Sequence, residues 1–333
     1  MVKVYEVLSP GFFGVYVDDL LAELRRSGVG CHIGGRFFGA AGYADDIILL
    51  APCRSAMSQM VKICEDFGVI NNLKFSTDPN PAKSKTKCLY MCGPKVRHPV
   101  YPAPLQLYQR DLPWVTHATH LGHELHQDCN MDMDIRMKRA SFIQNSTDMR
   151  DLFSFALPGQ VLNAVQTYNS HFYGSMIWDL FGAMANQVYR SWNTTVKLAW
   201  NLPRSTHNYF LEHLLAKDMR SARQQILSQY IGFLKRLGKS VSSEVRIMKN
   251  IAAQDIRSVT GRNCLNLREE FSVDPWEVSA SRFNMDYKQY ELPDQDRWRL
   301  SYLMDLLKQK YDMQACDEKV DVVTQLIESL CSS

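Results

Sequence analysis

The sequence predicts an α+β protein, with a mixed region over residues 1–127 and a helical region over residues 128–333. Helical and strand-like patterns alternate in the first region, separated by turn residues such as Gly34-Gly35. In the second region, apolar residues recur at helical spacing and strand signals fade. Hydrophobic residues make up 46% of the 333 residues, which is typical of a globular protein.

Charge and cysteine content indicate which partners and which cellular compartment to expect for the chain. The formal net charge is only +3, so any nucleic-acid-binding surface must be local. Nine irregularly spaced cysteines, with no secretion signal before them, favour reduced thiols in an intracellular protein, nuclear or cytoplasmic. The uncharged run 152–178 is long enough to span a bilayer, but polar residues interrupt it, so we expect no membrane span.

The first predicted element is a helix with Ser9 as its N-cap and Pro10 as its first helical residue. Apolar residues follow at helical spacing, and Gly28 ends the helix. The adjacent acids Asp18 and Asp19 lie inside this helix, where neighbouring side chains diverge by about 100°. We therefore expect them to form a solvated face rather than a metal site.

Asp45 and Asp46 stand between small residues and an apolar run that ends at Leu50. Acids disfavour strands and the apolar run favours one, so we expect a β-hairpin with both acids at or beside its tip. Carboxylates held there can bind hard cations through oxygen, and such metals serve polymerases and nucleases. An ordinary acidic turn is the alternative interpretation.

A second helix, capped by Ser55, is predicted to bury Met57, Met60, Val61, Cys64 and Phe67. Predicted strands at 73–75 and 86–91 complete an antiparallel sheet with the helices on one face. Lys83, Lys85 and Lys87 alternate along the chain, so an extended segment would place them on one face. A lysine-protected edge strand gives the same pattern.

Four histidines recur at every third position from His117 to His126. The segment His123-Glu124-Leu125-His126 does not fit the helical zinc motif, in which the histidines lie four residues apart. Gly122 instead indicates a strand or turn, where the missing side chain lets another backbone approach closely.

Several ordered motifs resemble the reverse transcriptases of non-long-terminal-repeat (LINE-type) retrotransposons. They are Ser9-Pro10, Val15-Tyr16-Val17-Asp18-Asp19-Leu20-Leu21, Ser27-Gly28-Val29-Gly30-Cys31-His32-Ile33-Gly34, Tyr43-Ala44-Asp45-Asp46, Phe75-Ser76-Thr77-Asp78-Pro79, Lys83-Ser84-Lys85 and His120-Leu121-Gly122-His123. They cover about the first 125 residues. The resemblance implies a partial polymerase palm with its primer grip over residues 1–127, followed by a thumb-like all-α bundle over 128–333.

The resemblance implies RNA-directed DNA polymerisation, a nucleotidyl transfer that uses two metal ions. Asp45 and Asp46 match catalytic metal ligands for Mg²⁺, with Mn²⁺ as an alternative. Lys83 matches a lysine thought to protonate the leaving pyrophosphate. The implied partners are an RNA template, a DNA primer and deoxynucleoside triphosphates.

Tyr43, Leu121 and Gly122 match positions that contact nucleic acid in this family. The sequence departs from the family at its start, where Val4-Tyr5 and their neighbours stand in place of a Gln-Gly pair. The further aspartate and the fingers region of such enzymes are not recognised. We therefore expect an N-terminally truncated product with little or no polymerase activity alone.

Two other hypotheses stay open. The helical half could make the chain a nucleic-acid-binding or interaction protein, in which basic residues track phosphates, although a solvated helix face gives the same pattern. These residues are Arg220, Arg223, Lys235, Arg236 and Lys239. Alternatively, the open reading frame is not expressed and its fold is incomplete.

Overall fold

The computed structural model describes residues 3–78, 80, 83–92, 101–215, 219–277, 301–303, 305 and 307. For residues 3–13, 212 and 213 it describes only the main chain. The chain divides into two compact units, residues 1–134 with 241–250 and residues 135–240 with 251–333. The domain boundary predicted after residue 127 stays a prediction. Residues 278–300 and 308–333 of the predicted helical region lie outside the described residues.

The first unit alternates helices with short strands, which confirms the α+β class. Its elements are α1 (Lys3–Arg26), β1 (His32–Ile33), β2 (Arg36–Phe37), β3 (Ala40–Tyr43), β4 (Asp46–Leu49), α2 (Arg54–Ile70), β5 (Cys88–Leu89), β6 (Gln106–Leu107), β7 (Arg110–Asp111), β8 (Trp114–Val115), β9 (His117–His120) and β10 (His123–His126).

Within the part of the chain that the structure describes, the strands form five separate two-stranded sheets and not the single antiparallel sheet that the sequence predicts. Four pairs are antiparallel (β1–β2, β3–β4, β6–β7 and β9–β10), and β5–β8 is parallel. Each strand has only two to four residues, which is shorter than the five to six of an average strand. Such strands offer few ladder hydrogen bonds, so neighbouring pairs do not merge into a wide sheet.

Helix α1 starts earlier than predicted and ends as predicted. It begins at Lys3, so Ser9 and Pro10 lie inside it rather than at its N-terminus. A proline inside a helix lacks one N–H donor, and the remaining bonds maintain the helix. At the other end Gly28 has φ 68°, the left-handed conformation that commonly terminates helices.

Helix α2 also starts before its predicted cap. The Met57 N–H donates to the Cys53 carbonyl at 3.1 Å, so the helical ladder begins two residues before Ser55 and Cys53 is the N-cap. The predicted buried stripe is confirmed from Met60 onward, while Met57 is half-buried. Of the two strands predicted after α2, residues 73–75 form none, and 86–91 contributes only Cys88–Leu89.

A buried cluster between α1 and α2 forms the core beneath the β3–β4 hairpin. It contains Leu20, Leu24, Met60, Cys64 and Phe67, and the half-buried side chains of Ala40, Ile47 and Leu49 pack against it. Apolar burial of this kind contributes about 25 cal/mol per Å². The hairpin is therefore attached to the helices through one side of its two strands.

The described residues that follow β10 are helical, as predicted. They form α3 (Asp132–Leu152), α4 (Pro158–Asn169), α5 (Ala183–Ala199), α6 (Ala222–Lys239), α7 (Ser243–Gln254) and α8 (Val259–Phe271), with 3₁₀ turns at Ser175–Ile177 and Asn208–Leu214. The core of the second unit includes Phe142, Trp192, Ile226 and Tyr230. Among the described helices, none is both long and apolar enough to cross a membrane.

Gly261 of α8 leaves no room for a side chain. A Cβ atom built there would lie 2.2 Å from the Asp255 carbonyl oxygen and 2.8 Å from its carbon. We expect Gly261→Ala to lower the free energy of unfolding by about 1–3 kcal/mol, measured by urea denaturation. Gly14→Ala is the matched control, because nothing lies within 4 Å of its Cβ and helix propensity predicts a gain of about 0.5–1 kcal/mol. Equal stability of the two variants would contradict this packing.

Candidate functional site

The β3–β4 hairpin places the two predicted metal ligands at its tip. Tyr43 pairs with Asp46 across the strands, so Ala44 and Asp45 form a two-residue turn. Asp46 begins β4, and both carboxylates are exposed. The predicted hairpin is confirmed, and both a metal site and an ordinary acidic turn fit this geometry.

The hairpin has one face on the core and one face toward solvent. A Cβ atom built on Gly42 would lie 3.4 Å from the Leu21 Cδ1 atom of α1, so the Gly42 face contacts the helix. Successive side chains of a strand alternate, and cross-strand partners share a face. Tyr43 and Asp46 therefore project on the opposite face, where Tyr43 is 69% exposed.

The donor set at this tip fits part of a Mg²⁺ site. Magnesium prefers oxygen ligands and usually takes one or two carboxylates, with waters and substrate phosphates completing its octahedron. Asp45 and Asp46 can supply those carboxylates from adjacent positions, the last residue of the turn and the first of β4. Within the ranges that the structure describes, no group of three or more His, Cys, Asp or Glu side chains could hold a metal ion.

The second acidic pair, Asp18 and Asp19, lies on α1 and is exposed, as predicted. The two side chains diverge along the helix surface, since adjacent helical residues are separated by about 100°. This pair has the same charge and exposure as the hairpin pair but a different geometry.

The structure corrects the local geometry predicted around Lys83. This residue lies in a turn, where its N–H donates to the Asn80 carbonyl at 2.9 Å, and its side chain is exposed. The following Ser84 is buried and donates its hydroxyl to the Thr86 carbonyl at 2.6 Å. Lys83, Lys85 and Lys87 are all exposed, but they precede the strand that begins at Cys88, so the predicted extended segment is wrong for residues 83–87.

Leu121 and Gly122 form the turn of the β9–β10 hairpin. Their φ angles are 48° and 74°, and the flanking residues His120 and His123 pair across the strands. Two consecutive positive φ angles are typical of the type I′ turn that matches the twist of the strands. The predicted turn is confirmed, and Gly122 is exposed at its end.

A buried aspartate that the sequence did not single out supports this second hairpin. Asp134, 1% exposed, accepts the Glu124 N–H at 3.1 Å and lies 3.5 Å from the His123 Nδ1 atom. Glu124 in turn accepts the Thr119 hydroxyl from the facing strand. The only sequence signal was an acid in the first turn of α3, which is a common way to complement the helix dipole.

The four histidines pair across β9 and β10 rather than along a helix. His117 faces His126, and His120 faces His123. In an antiparallel pair the side chains alternate between the two faces, so the two histidine pairs lie on opposite faces of the hairpin. This arrangement agrees with the prediction against a helical zinc motif.

Of the basic residues in the helical half, Arg223 has a structural role. Its guanidinium donates twice to Glu270, at 2.6 Å and 2.7 Å, and it lies over the rings of Phe181 and Phe271. The positive charge of Arg223 is therefore paired within the second unit. Arg220, Arg236 and Lys239 are exposed.

Comparison with known proteins gives no relative: no protein-family model, no curated protein and no solved structure matches the chain.

Proposed function

We propose that the chain is part of the polymerase region of a LINE-type reverse transcriptase, with the β3–β4 hairpin as its metal-binding element. The single observation that carries the proposal is the exposed Asp45-Asp46 pair at the tip of the β3–β4 hairpin, whose other face packs on the core between α1 and α2. The ordered motifs on either side of this hairpin support the same family.

In the proposed reaction each side chain has a limited task. Asp45 and Asp46 would hold Mg²⁺, or Mn²⁺, and the ion would supply positive charge to neutralise phosphate oxygens and to favour ionisation of a primer hydroxyl. Lys83 donates a proton to the leaving pyrophosphate. Tyr43, beside Asp46 on the exposed face, offers a ring and a hydroxyl to nucleic acid.

The β9–β10 hairpin is proposed to position the primer strand. Gly122 has no side chain, so a sugar-phosphate backbone can approach the main chain closely. Leu121 provides an apolar contact beside it. The partners of the intact enzyme are then an RNA template, a DNA primer and deoxynucleoside triphosphates.

Binding of Mn²⁺, followed by its electron paramagnetic resonance signal, tests the metal site. We expect Asp45→Asn combined with Asp46→Asn to weaken binding at least about tenfold, because both carboxylate ligands lose their charge. The matched control, Asp18→Asn combined with Asp19→Asn, removes an equally exposed acidic pair and should leave the affinity unchanged.

Two results would contradict the proposal. Unchanged Mn²⁺ affinity in the hairpin variant would remove the metal role of Asp45 and Asp46. Equal losses of Mn²⁺ affinity in the hairpin and helix variants would show that Mn²⁺ binding depends only on the number of surface acids.

A further inference from the structure

Two thiols near the end of β10 approach a single main-chain oxygen. The Cys92 Sγ atom lies 3.9 Å from the Gln127 carbonyl oxygen, and the Cys129 Sγ atom lies 3.8 Å from the same oxygen. The two sulfur atoms are therefore separated by no more than the sum of 3.9 Å and 3.8 Å. The Cys92 N–H also donates to this carbonyl at 3.2 Å, which holds the two segments side by side.

Cys129 lies in a segment where its side chain can change rotamer. A disulfide needs Cβ atoms about 4 Å apart. Cys129 is exposed and lies in the turn between β10 and α3, outside any helix or strand, so no helix or strand has to open for its side chain to turn toward Cys92. Cys92 is half-buried, and both residues are free thiols.

Two other cysteines of the first unit, Cys64 and Cys88, are poorer partners because they are buried. Burial raises the pKa of Cys64 to about 12 and that of Cys88 to about 11, so both stay protonated and unreactive near neutral pH. Cys53 is exposed at the start of α2, where its sulfur lies 3.2 Å from the Ser55 hydroxyl oxygen.

We propose that Cys92 and Cys129 form a reversible disulfide in exchange with a low-molecular-weight disulfide such as oxidised glutathione. The Cys129 thiolate attacks one glutathione sulfur, the glutathione S–S bond breaks, and the first glutathione thiolate leaves. The Cys92 thiolate then attacks the Cys129 sulfur and displaces the second glutathione. Two protein thiols are oxidised, one glutathione disulfide is reduced to two thiols, and the two protons pass to those thiols.

The bond would constrain the hairpin that carries Leu121 and Gly122. It joins the segment after β5 to the turn after β10, next to the existing bond between Cys92 and Gln127. A cross-link of this kind restricts opening of the enclosed segments. Transient disulfides of this type occur as redox sensors even where the bulk of protein thiols is reduced.

The test exposes the full reduced chain to mixtures of reduced and oxidised glutathione, blocks the remaining thiols and identifies products by peptide mass spectrometry. We expect wild type to give a peptide that joins Cys92 to Cys129, with the loss of two hydrogens. Cys92→Ser removes the resolving thiol, so a glutathione adduct should accumulate on Cys129. Cys53→Ser is the matched control, and it should give the same Cys92–Cys129 link as wild type.

Two outcomes would overturn the proposal. One is a Cys129 glutathione adduct that reaches the same level in wild type and in Cys92→Ser, because Cys92 then resolves nothing. The other is that Cys129 links to Cys53 or Cys31 as often as to Cys92. Circular dichroism of each variant in the reduced state checks that the substitutions leave the fold intact.

Discussion

Leu20→Ala is expected to lower the free energy of unfolding of the first unit by about 2–5 kcal/mol. Leu20 is fully buried in α1 and belongs to the cluster that includes Met60 and Phe67. Because interiors are close-packed, alanine leaves a cavity that the two helices can only partly close. The loss of unfolding free energy therefore has two parts, the transfer free energy of the removed apolar atoms and the cost of the cavity.

The effect of Leu20→Ala should reach the hairpin that bears the carboxylates. Ile47 and Leu49 of β4 pack against the same cluster, so loosening it lowers the free energy of opening the strands. Hydrogen exchange measured by mass spectrometry should show faster exchange of the β3–β4 amides, with weaker Mn²⁺ binding in parallel. Asp19→Ala, at the neighbouring exposed position, should change stability by no more than about 0.5 kcal/mol. Similar exchange in the two variants would argue against this coupling.

Asn263→Ala is expected to destabilise the second unit by about 2–4 kcal/mol. Asn263 is fully buried in α8, where its Nδ2 donates to the Trp178 carbonyl at 2.8 Å and its Oδ1 accepts the Leu180 N–H at 3.0 Å. Alanine removes both bonds and leaves the Leu180 N–H without this acceptor in an apolar interior. Burying a polar group without its bond costs about 1–3 kcal/mol.

Urea denaturation, followed by the fluorescence of the buried Trp178 and Trp192, measures this loss. Asn266→Ala, a change of the same chemistry at a partly exposed site on the same helix, is the control and should cost less than about 1 kcal/mol. Equal losses of unfolding free energy in Asn263→Ala and Asn266→Ala would show that the buried hydrogen bonds of Asn263 do not stabilise the unit.

Local patterns in the sequence predicted the hairpins and the buried helix faces. The acids between small residues and an apolar run located the β3–β4 turn, and Gly122 indicated a strand or a turn where the structure has the β9–β10 turn. Both predictions depend on conformational preferences of a few adjacent residues. They were therefore available without any knowledge of the tertiary structure.

Features that depend on contacts between distant residues were missed. The role of Asp134 depends on the packing of the start of α3 against β10, where it accepts the Glu124 N–H. The role of Asn263 depends on Trp178 and Leu180, which lie more than 80 positions earlier in the sequence. The helix starts were also wrong, because Ser9-Pro10 and Ser55 are good caps that the surrounding chain does not use as such. Capping preferences are worth only about 1 kcal/mol, so the helical tendency of the preceding residues can override them.

Ala44 takes an unfavourable backbone conformation at the hairpin tip. Its φ of 52° is a left-handed conformation that costs an L-residue about 1–2 kcal/mol and that Gly, Asn or Asp would adopt more readily. The shape of the tip is therefore maintained by the pairing of β3 with β4 and by their packing on the helices, and not by the preference of the residue at its bend.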